Sequence, residues 1–275
     1  MGTTWMLVVR GCDDALLDAA EATIDDLERR WSRFRPDSEI AVLNRTPGVP
    51  VLVSPDTFQV IQAAVDGALA TGGRFDPTVH DAMVALGYDR TFDEIAPAVT
   101  VDDAPSPVPG VRGIELDEAL HAVTLPAGVR LDLGGIGKGT AADLVSEQVM
   151  RGGAAGVAVS IGGDIRVRGE SPSGGGWTFT DDGGGAIELP EVTDGGVCTS
   201  TRRRRWSTDH GDVHHIVDPG TGRPTRGAVE SVTVMGATAQ QAEVLTKAAM
   251  VAGDEAEAFL APFGVPHVIR RRQVA

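Results

Sequence analysis

Two stretches of this chain combine residue types that handle phosphate and protons. The first is Leu131-Asp132-Leu133-Gly134-Gly135-Ile136-Gly137-Lys138-Gly139-Thr140, a glycine-rich turn that leads into a helix. Glycines let the backbone approach a ligand, a helix N-terminus presents unpaired N–H groups, and a lysine adds a charge suited to phosphate. The pattern is not a P-loop, because Asp132 stands where glycine is required and Gly139 replaces the Ser/Thr after the lysine. Nor is it a dinucleotide fingerprint: Gly135 and Gly137 fit, but Thr140 occupies the last glycine position. On spacing alone, a tight strand-to-helix turn with a solvated lysine explains it equally well.

The second stretch is His214-His215-Ile216-Val217-Asp218-Pro219-Gly220-Thr221-Gly222. Paired histidines beside an aspartate suggest metal ligation, yet no third ligand at zinc spacing accompanies them. His215 as a general base is the alternative, since an imidazole titrates near neutral pH. A packed structural histidine is the plainest reading. Arg74-Phe75-Asp76-Pro77-Thr78-Val79 and Ser38-Glu39-Ile40-Ala41-Val42-Leu43-Asn44 read, in isolation, as turns with polar caps. The arginine run at 202–205 is either a solvated face or a local anion site. A serine hydrolase is disfavoured, because Ser160 in Ala158-Val159-Ser160-Ile161-Gly162 lacks the first glycine of a nucleophile elbow.

The elements that must position these residues follow from apolar spacing. A strand is expected at 5–10, then a helix with Leu17, Ala20, Ile24, Leu27 and Trp31 on one face. Residues 32–44 look polar and turn-like. Ser54-Pro55 starts a helix striped by Phe58, Ile61, Val65 and Leu69 and stopped by Thr71-Gly72-Gly73. Four prolines between 97 and 109 mark a surface connection. A hairpin is expected from 114–116 and 121–125. A strand, the glycine turn, a helix carrying Ala142, Val145 and Val149, and the strand GVAVSI then fill 130–164. Short strands are expected at 165–169, 177–181, 186–189 and 229–235, then a helix at 239–251 and a closing strand at 267–270. Helices interspersed with hairpins indicate an α+β fold with mostly antiparallel sheets.

Composition narrows the function classes. Against 24 Lys+Arg stand 39 Asp+Glu, a net charge of −15, which argues against nucleic-acid or anionic-membrane binding. No stretch approaches the about 18 apolar residues of a membrane span. The start, MGTTWMLVVRGCDD, lacks the basic and long apolar parts of a secretory signal, so a cytoplasmic location is expected. Cys12 and Cys198 form neither a disulfide framework nor a Cys-x-x-Cys pair. The 35 glycines lie between apolar segments, which excludes low-complexity disorder and raises the question of their use.

In order along the chain, Ser38-Glu39…Asn44, Gly73…Val79, Leu131…Gly139, Gly162-Gly163-Asp164, Thr199-Ser200 and His215…Gly222 resemble the ApbE family of FAD:protein FMN transferases, in its compact, signal-less form. The resemblance implies one domain over 1–275 with two intimate, T-fold-like lobes and FAD in the cleft between them. It also implies that Mg²⁺ holds the pyrophosphate and that FMN passes to a Thr or Ser hydroxyl of an unidentified acceptor protein, releasing AMP. By position, His215 would be the base and Asp218 would orient its loop. Asn44, Asp76, Thr78, Lys138, Gly163, Asp164 and Ser200 would bind FAD. The metal would be held by the Gly137 carbonyl and by an Asp and a Thr four residues apart on a helix. Those two positions here are Glu243 and Lys247, with Thr246 one step off. Glutamate can bind Mg²⁺ and lysine cannot, so either an ammonium takes the metal's place or the two form an ordinary helix ion pair. Two alternatives follow: an FAD-binding protein without transferase activity, or an FAD hydrolase yielding FMN and AMP.

Overall fold

The computed structural model describes residues 3–11, 14–95, 108–180, 189–203, 205–209 and 211–272. Most of the proline-rich connection, Cys12 and most of the segment expected as a strand at 186–189 lie outside them, whereas the strand expected at 177–181 is reduced, in its described part, to an isolated bridge between Trp177 and Val192. The chain opens with strand β1 (Trp5–Arg10) and helix α1 (Asp14–Trp31), whose Ala20, Ile24, Leu27 and Trp31 are buried at three- and four-residue steps.

The segment after Trp31 departs from the expected turn. Ser38 accepts the Ala41 N–H at 3.0 Å and so caps a short helix, α2 (Glu39–Arg45), which buries Ile40, Ala41 and Leu43. Strand β2 (Val51–Leu52) precedes α3 (Pro55–Ala70), which starts at the Ser54 cap as its sequence requires. A second short helix, α4 (His80–Ala85), follows the Arg74–Val79 motif. Strands β3 (Glu115–Asp117) and β4 (Ala122–Thr124) make the expected hairpin and, with β2, a small sheet ordered β2-β4-β3.

The expected strand at the start of the 130–164 region is absent. Leu133–Gly135 instead forms a 3₁₀ turn that enters α5 (Gly137–Arg151). Strands β5 (Gly156–Ile161) and β6 (Asp164–Gly169) follow, joined by Gly162 and Gly163, both at positive φ, the geometry a two-residue hairpin demands. Next come β7 (Asp194–Thr201), β8 (Arg205–Thr208), β9 (Gly211–His214), β10 (Val217–Asp218), β11 (Arg223–Pro224) and β12 (Val229–Gly236). The chain closes with α6 (Ala239–Ala252), α7 (Ala256–Leu260) and β13 (His267–Arg271).

The main sheet is antiparallel and ordered β1-β5-β6-β7-β12-β13. Its two faces bury different residues of the same strand. Val157, Val159 and Ile161 join the core built with α1, α5 and α6, whereas Ala158 packs with Val167, Trp177, Phe179, Val197 and Met235 opposite. Strands covered on both faces lose the polar alternation of a surface strand, which explains the unbroken apolar run of β5. Helix α6 lies so close to its neighbours that a side chain on Gly139 would meet the Ala239 carbonyl at 2.5 Å. Asp143 of α5 accepts the N–H groups of Ala239 and Gln240 at 3.0 and 2.9 Å, capping α6 from outside its own sequence. Buried Arg166 of β6 in turn contacts Asp143 at 2.9 Å.

Candidate active site

One cavity of about 240 Å³ collects the glycine turn, the Arg74–Val79 motif, the β5–β6 hairpin, β7, the His215 loop and α6. Of the residues singled out by sequence, Asp76, Gly137, Lys138, Asp164, Ser200 and His215 line it, together with Lys247. Asn44, Thr78, Gly163, Asp218 and Glu243 do not line it, and each has identifiable work elsewhere.

The cavity floor on the α5–α6 side is a compact arrangement of four charges. Glu243 is fully buried, and its Oε2 accepts the Gly139 N–H at 2.8 Å, satisfying one of the open amides of the first turn of α5. Its Oε1 receives both Lys138 Nζ and, at 3.0 Å, Lys247 Nζ. Lys138 also reaches Asp164 at 2.8 Å and the Gly134 carbonyl at 3.3 Å. Burial works against the Lys138 charge, but the adjoining Asp164 and Glu243 carboxylates outweigh it and hold the pKa above its ordinary value. Burial likewise opposes the Asp164 charge, and Lys138 and Lys247 overcome it, keeping that carboxyl below its ordinary range. The nearby Cys198 thiol is pushed well up by burial and by the two carboxylates, so it stays protonated.

This donor set does not fit a divalent metal. Magnesium asks for several oxygens with lone pairs to spare. Both Glu243 oxygens already accept from N–H donors, two of which carry positive charge. Thr246 offers no substitute: its hydroxyl donates to the Glu243 carbonyl at 2.8 Å and pairs with Ser200 Oγ at 2.8 Å. Gly137 is the first residue of α5, where the carbonyl points along the helix axis, away from the open N-terminal end. Asp164 Oδ1 is the one carboxylate oxygen of the group, among the described residues, that is buried without a hydrogen bond.

Across the cavity, the two adjacent histidines divide their tasks. His214 is buried. Its Nδ1 accepts the Ile216 N–H at 3.3 Å, which leaves Nε2 to donate to the Thr225 carbonyl at 3.1 Å. Burial outweighs the Thr225 bond and lowers its pKa to about 4, so it is a neutral structural residue at physiological pH. That arrangement turns the chain so that half-buried His215 faces the cavity. Asp218 accepts from Gly220 N at 2.9 Å and Thr221 Oγ1 at 3.2 Å, closing the turn between β10 and β11. It shapes the loop that carries His215 and lies off the cavity wall.

Asn44 acts as a clamp. Its side chain donates to the Leu131 carbonyl at 2.9 Å and accepts the Leu131 N–H at 2.7 Å, while Pro77 O accepts from Asp132 N at 2.7 Å. Together these bonds hold the glycine turn in place. Asp76, raised in pKa by burial despite its bonds to Thr78, accepts from Thr78 N at 2.8 Å and Thr78 Oγ1 at 2.6 Å. Thr78 Oγ1 also accepts the Gly110 N–H. Of the arginine run, buried Arg202 donates to the Gly227 and Arg226 carbonyls at 2.7 and 2.8 Å, and Arg204 lies outside the described residues. Arg202 is therefore a loop clamp.

Sequence reasoning missed one wall of the cavity. Arg33 stacks between Phe34 and Tyr88, at 4.3 and 4.8 Å from their ring centres, with its Nε 2.9 Å from Asp132 Oδ2. Phe92 and Trp206 extend the aromatic group. Asp132 was within reach of sequence reasoning, since it stands inside the glycine motif. Arg33 lies in a stretch without periodicity, and its partner Tyr88 is distant in sequence.

Comparison with known proteins agrees with this architecture. The chain is 28% identical over 246 residues to the FAD:protein FMN transferase of Vibrio cholerae, covering 84% of this chain and 72% of that protein. It is 31% identical over 264 residues to the FAD:protein FMN transferase of Treponema pallidum, covering 88% and 72%. The crystal structure of the ApbE protein from Thermotoga maritima superposes with a TM-score of 0.85 at 26% identity, covering 98% of this chain and 91% of that one. The model of the ApbE family matches residues 1–268, and the chain therefore belongs to the ApbE family.

Proposed function

We propose that this chain is an FAD:protein FMN transferase, acting as a single functional unit on a protein hydroxyl in the cytoplasm. The observation that carries the reading is the shared cavity. His215 lines it together with the N-terminal turn of α5 and two ammoniums, so a base and a phosphate-binding surface face one space. FAD:protein FMN transferase is also the name of the relatives in Vibrio cholerae, Haemophilus influenzae and Treponema pallidum.

In this reading the FAD pyrophosphate lies against Lys138 and the amides of the glycine turn, whose position Asn44 and Asp132 hold. An acceptor Ser or Thr hydroxyl approaches the FMN phosphorus from the His215 side. The imidazole takes the hydroxyl proton as the oxygen attacks. A new P–O ester bond forms, the P–O bond of the anhydride breaks, and its electron pair leaves with AMP. Ammonium and helix N–H groups stabilise the charge that builds on the phosphoryl oxygens. Asp218 keeps the His215 loop in register. Magnesium enters no step, because the residues at its implied position do not fit it.

The test is incubation of the protein with FAD and an acceptor peptide bearing a Ser or Thr, followed by mass spectrometry and AMP quantification. Covalent FMN on the peptide with equimolar AMP is expected, and His215→Ala should reduce the rate by at least about a hundredfold. AMP release without a flavinylated peptide would replace transfer with hydrolysis. FAD binding with neither product would leave a flavin-binding protein.

A further inference from the structure

We propose that the two lysines are themselves the cation of this site: their ammoniums take the phosphate groups of a flavin nucleotide directly, and Lys247 blocks the position a divalent metal would occupy. The ligand half rests on the flavin reading above. The exclusion of metal rests on side-chain geometry alone.

The cluster is layered. Glu243 and Asp164 are 0% and 2% exposed and form its base, with Asp164 reaching the cavity wall, whereas the Lys138 and Lys247 side chains are 20% and 16% exposed and line the cavity above them. Lys247 donates to Glu243 and, with three donors on an ammonium, keeps others for a ligand. Lys138 already spans Glu243, Asp164 and, at 3.3 Å, the Gly134 carbonyl, so a phosphate takes over the last and longest of these bonds. The carboxylates pre-hold both lysines, so little side-chain freedom is lost when a phosphate arrives. Counted alone, the four side chains sum to zero charge, and the open N–H end of α5 adds positive potential on the ligand side.

The same geometry closes the base to a dication. Lys247 Nζ lies 3.0 Å from Glu243 Oε1, one helical turn along α6, and Lys138 contacts the same oxygen. A divalent ion would have to expel an ammonium to gain that oxygen. What remains is the buried Asp164 Oδ1, and one oxygen is too few for a hard cation. Removing Lys247 while supplying a hydroxyl should leave Glu243 Oε1 with Lys138 alone. Once Lys138 is drawn to Asp164 Oδ2, that oxygen joins Asp164 Oδ1 and the new hydroxyl in a cation site that the natural chain lacks.

Mn²⁺ titration by paramagnetic resonance, together with FAD binding by calorimetry in EDTA and in Mg²⁺, tests both halves. The natural chain should bind no Mn²⁺ stoichiometrically, and its FAD affinity should agree within about twofold between EDTA and Mg²⁺. Lys247→Thr should gain Mn²⁺ binding and lose about 10- to 100-fold in FAD affinity in EDTA, with Mg²⁺ restoring part of it. Lys247→Arg should retain FAD binding in EDTA without gaining Mn²⁺. Stoichiometric Mn²⁺ binding by the natural chain, or an EDTA-induced loss of its FAD affinity beyond tenfold, overturns the proposal. Absence of FAD binding under every condition overturns the ligand half together with the flavin reading. The Mn²⁺ titration of the natural chain still decides the exclusion, whether or not a variant folds.

Discussion

The Gly139 amide donates to the Glu243 carboxylate across 2.8 Å, tying the first turn of α5 to α6 at a fully buried acid. Glu243→Ala would leave that amide unbonded and two ammoniums without their shared partner. Breaking a buried ion pair from one side costs about 3–5 kcal/mol. The urea midpoint should fall accordingly, and Glu243→Gln, which keeps an acceptor for Gly139, should lose less. Equal midpoints for Glu243→Ala and the natural chain would refute the structural role.

His214 should make stability depend on pH in a defined window. Its folded pKa of about 4 lies below the ordinary 6.5, so between those values the unfolded chain holds more protons. Stability from this group is complete above pH 6.5 and declines as the pH falls toward 4, by at most about 3 kcal/mol. Urea titrations at pH 7 and 4.5 should therefore show a smaller acid-induced loss in His214→Gln than in the natural chain. Parallel losses in the two proteins would count against a buried neutral imidazole.

Asn44 should act on ligand binding without touching ligand. Both of its amide atoms bond the buried Leu131 backbone, and each unsatisfied partner costs about 1–3 kcal/mol. Asn44→Ala should lower the denaturation midpoint and weaken FAD binding together. Asn44→Asp, which loses the donor but keeps an acceptor, should fall between. A variant with full stability and poor FAD binding would instead put Asn44 in direct contact with the nucleotide.

Arg33 fills the aromatic wall and pairs with Asp132, at the head of the glycine turn. Arg33→Leu preserves much of the packing but leaves the Asp132 carboxylate without its cation. FAD affinity should drop about tenfold or more, and Arg33→Lys should not restore it, because an ammonium cannot stack as a guanidinium plane does. Unchanged affinity in Arg33→Leu would remove this wall from the binding surface.

Legibility in the sequence tracked the locality of the forces. Helix α3 is readable because Ser54, Pro55 and the Phe58–Ile61 stripe all lie within a few residues of one another. The same holds for β1, α1 and α6, and the glycine turn was legible as the entry to a helix. Helix α2 was hidden because a single serine cap and two turns of apolar residues look like a polar loop when read one by one. Strand β7 was hidden for a different reason. Its glycines weaken any strand pattern, yet Gly196 is required because a side chain there would meet the Ala239 backbone at 2.2 Å. In the cavity, Lys138 and His215 were legible as candidates and do line it, but the work of Asn44 and Asp218 was not legible. Both are spent on backbone partners, Leu131 far along the chain and Gly220 in the adjoining turn.

Asp143 gives this cavity its stiffness. By capping α6 from α5 while held by Arg166 of the sheet, it fastens together the two helices that carry Lys138 and Lys247. Neither helix can slide without breaking that cap, so the span between the two ammoniums is set before any ligand arrives. The pair of charges is thus held by backbone fastened on both sides, through Asp143 on α6 and through Glu243 on α5.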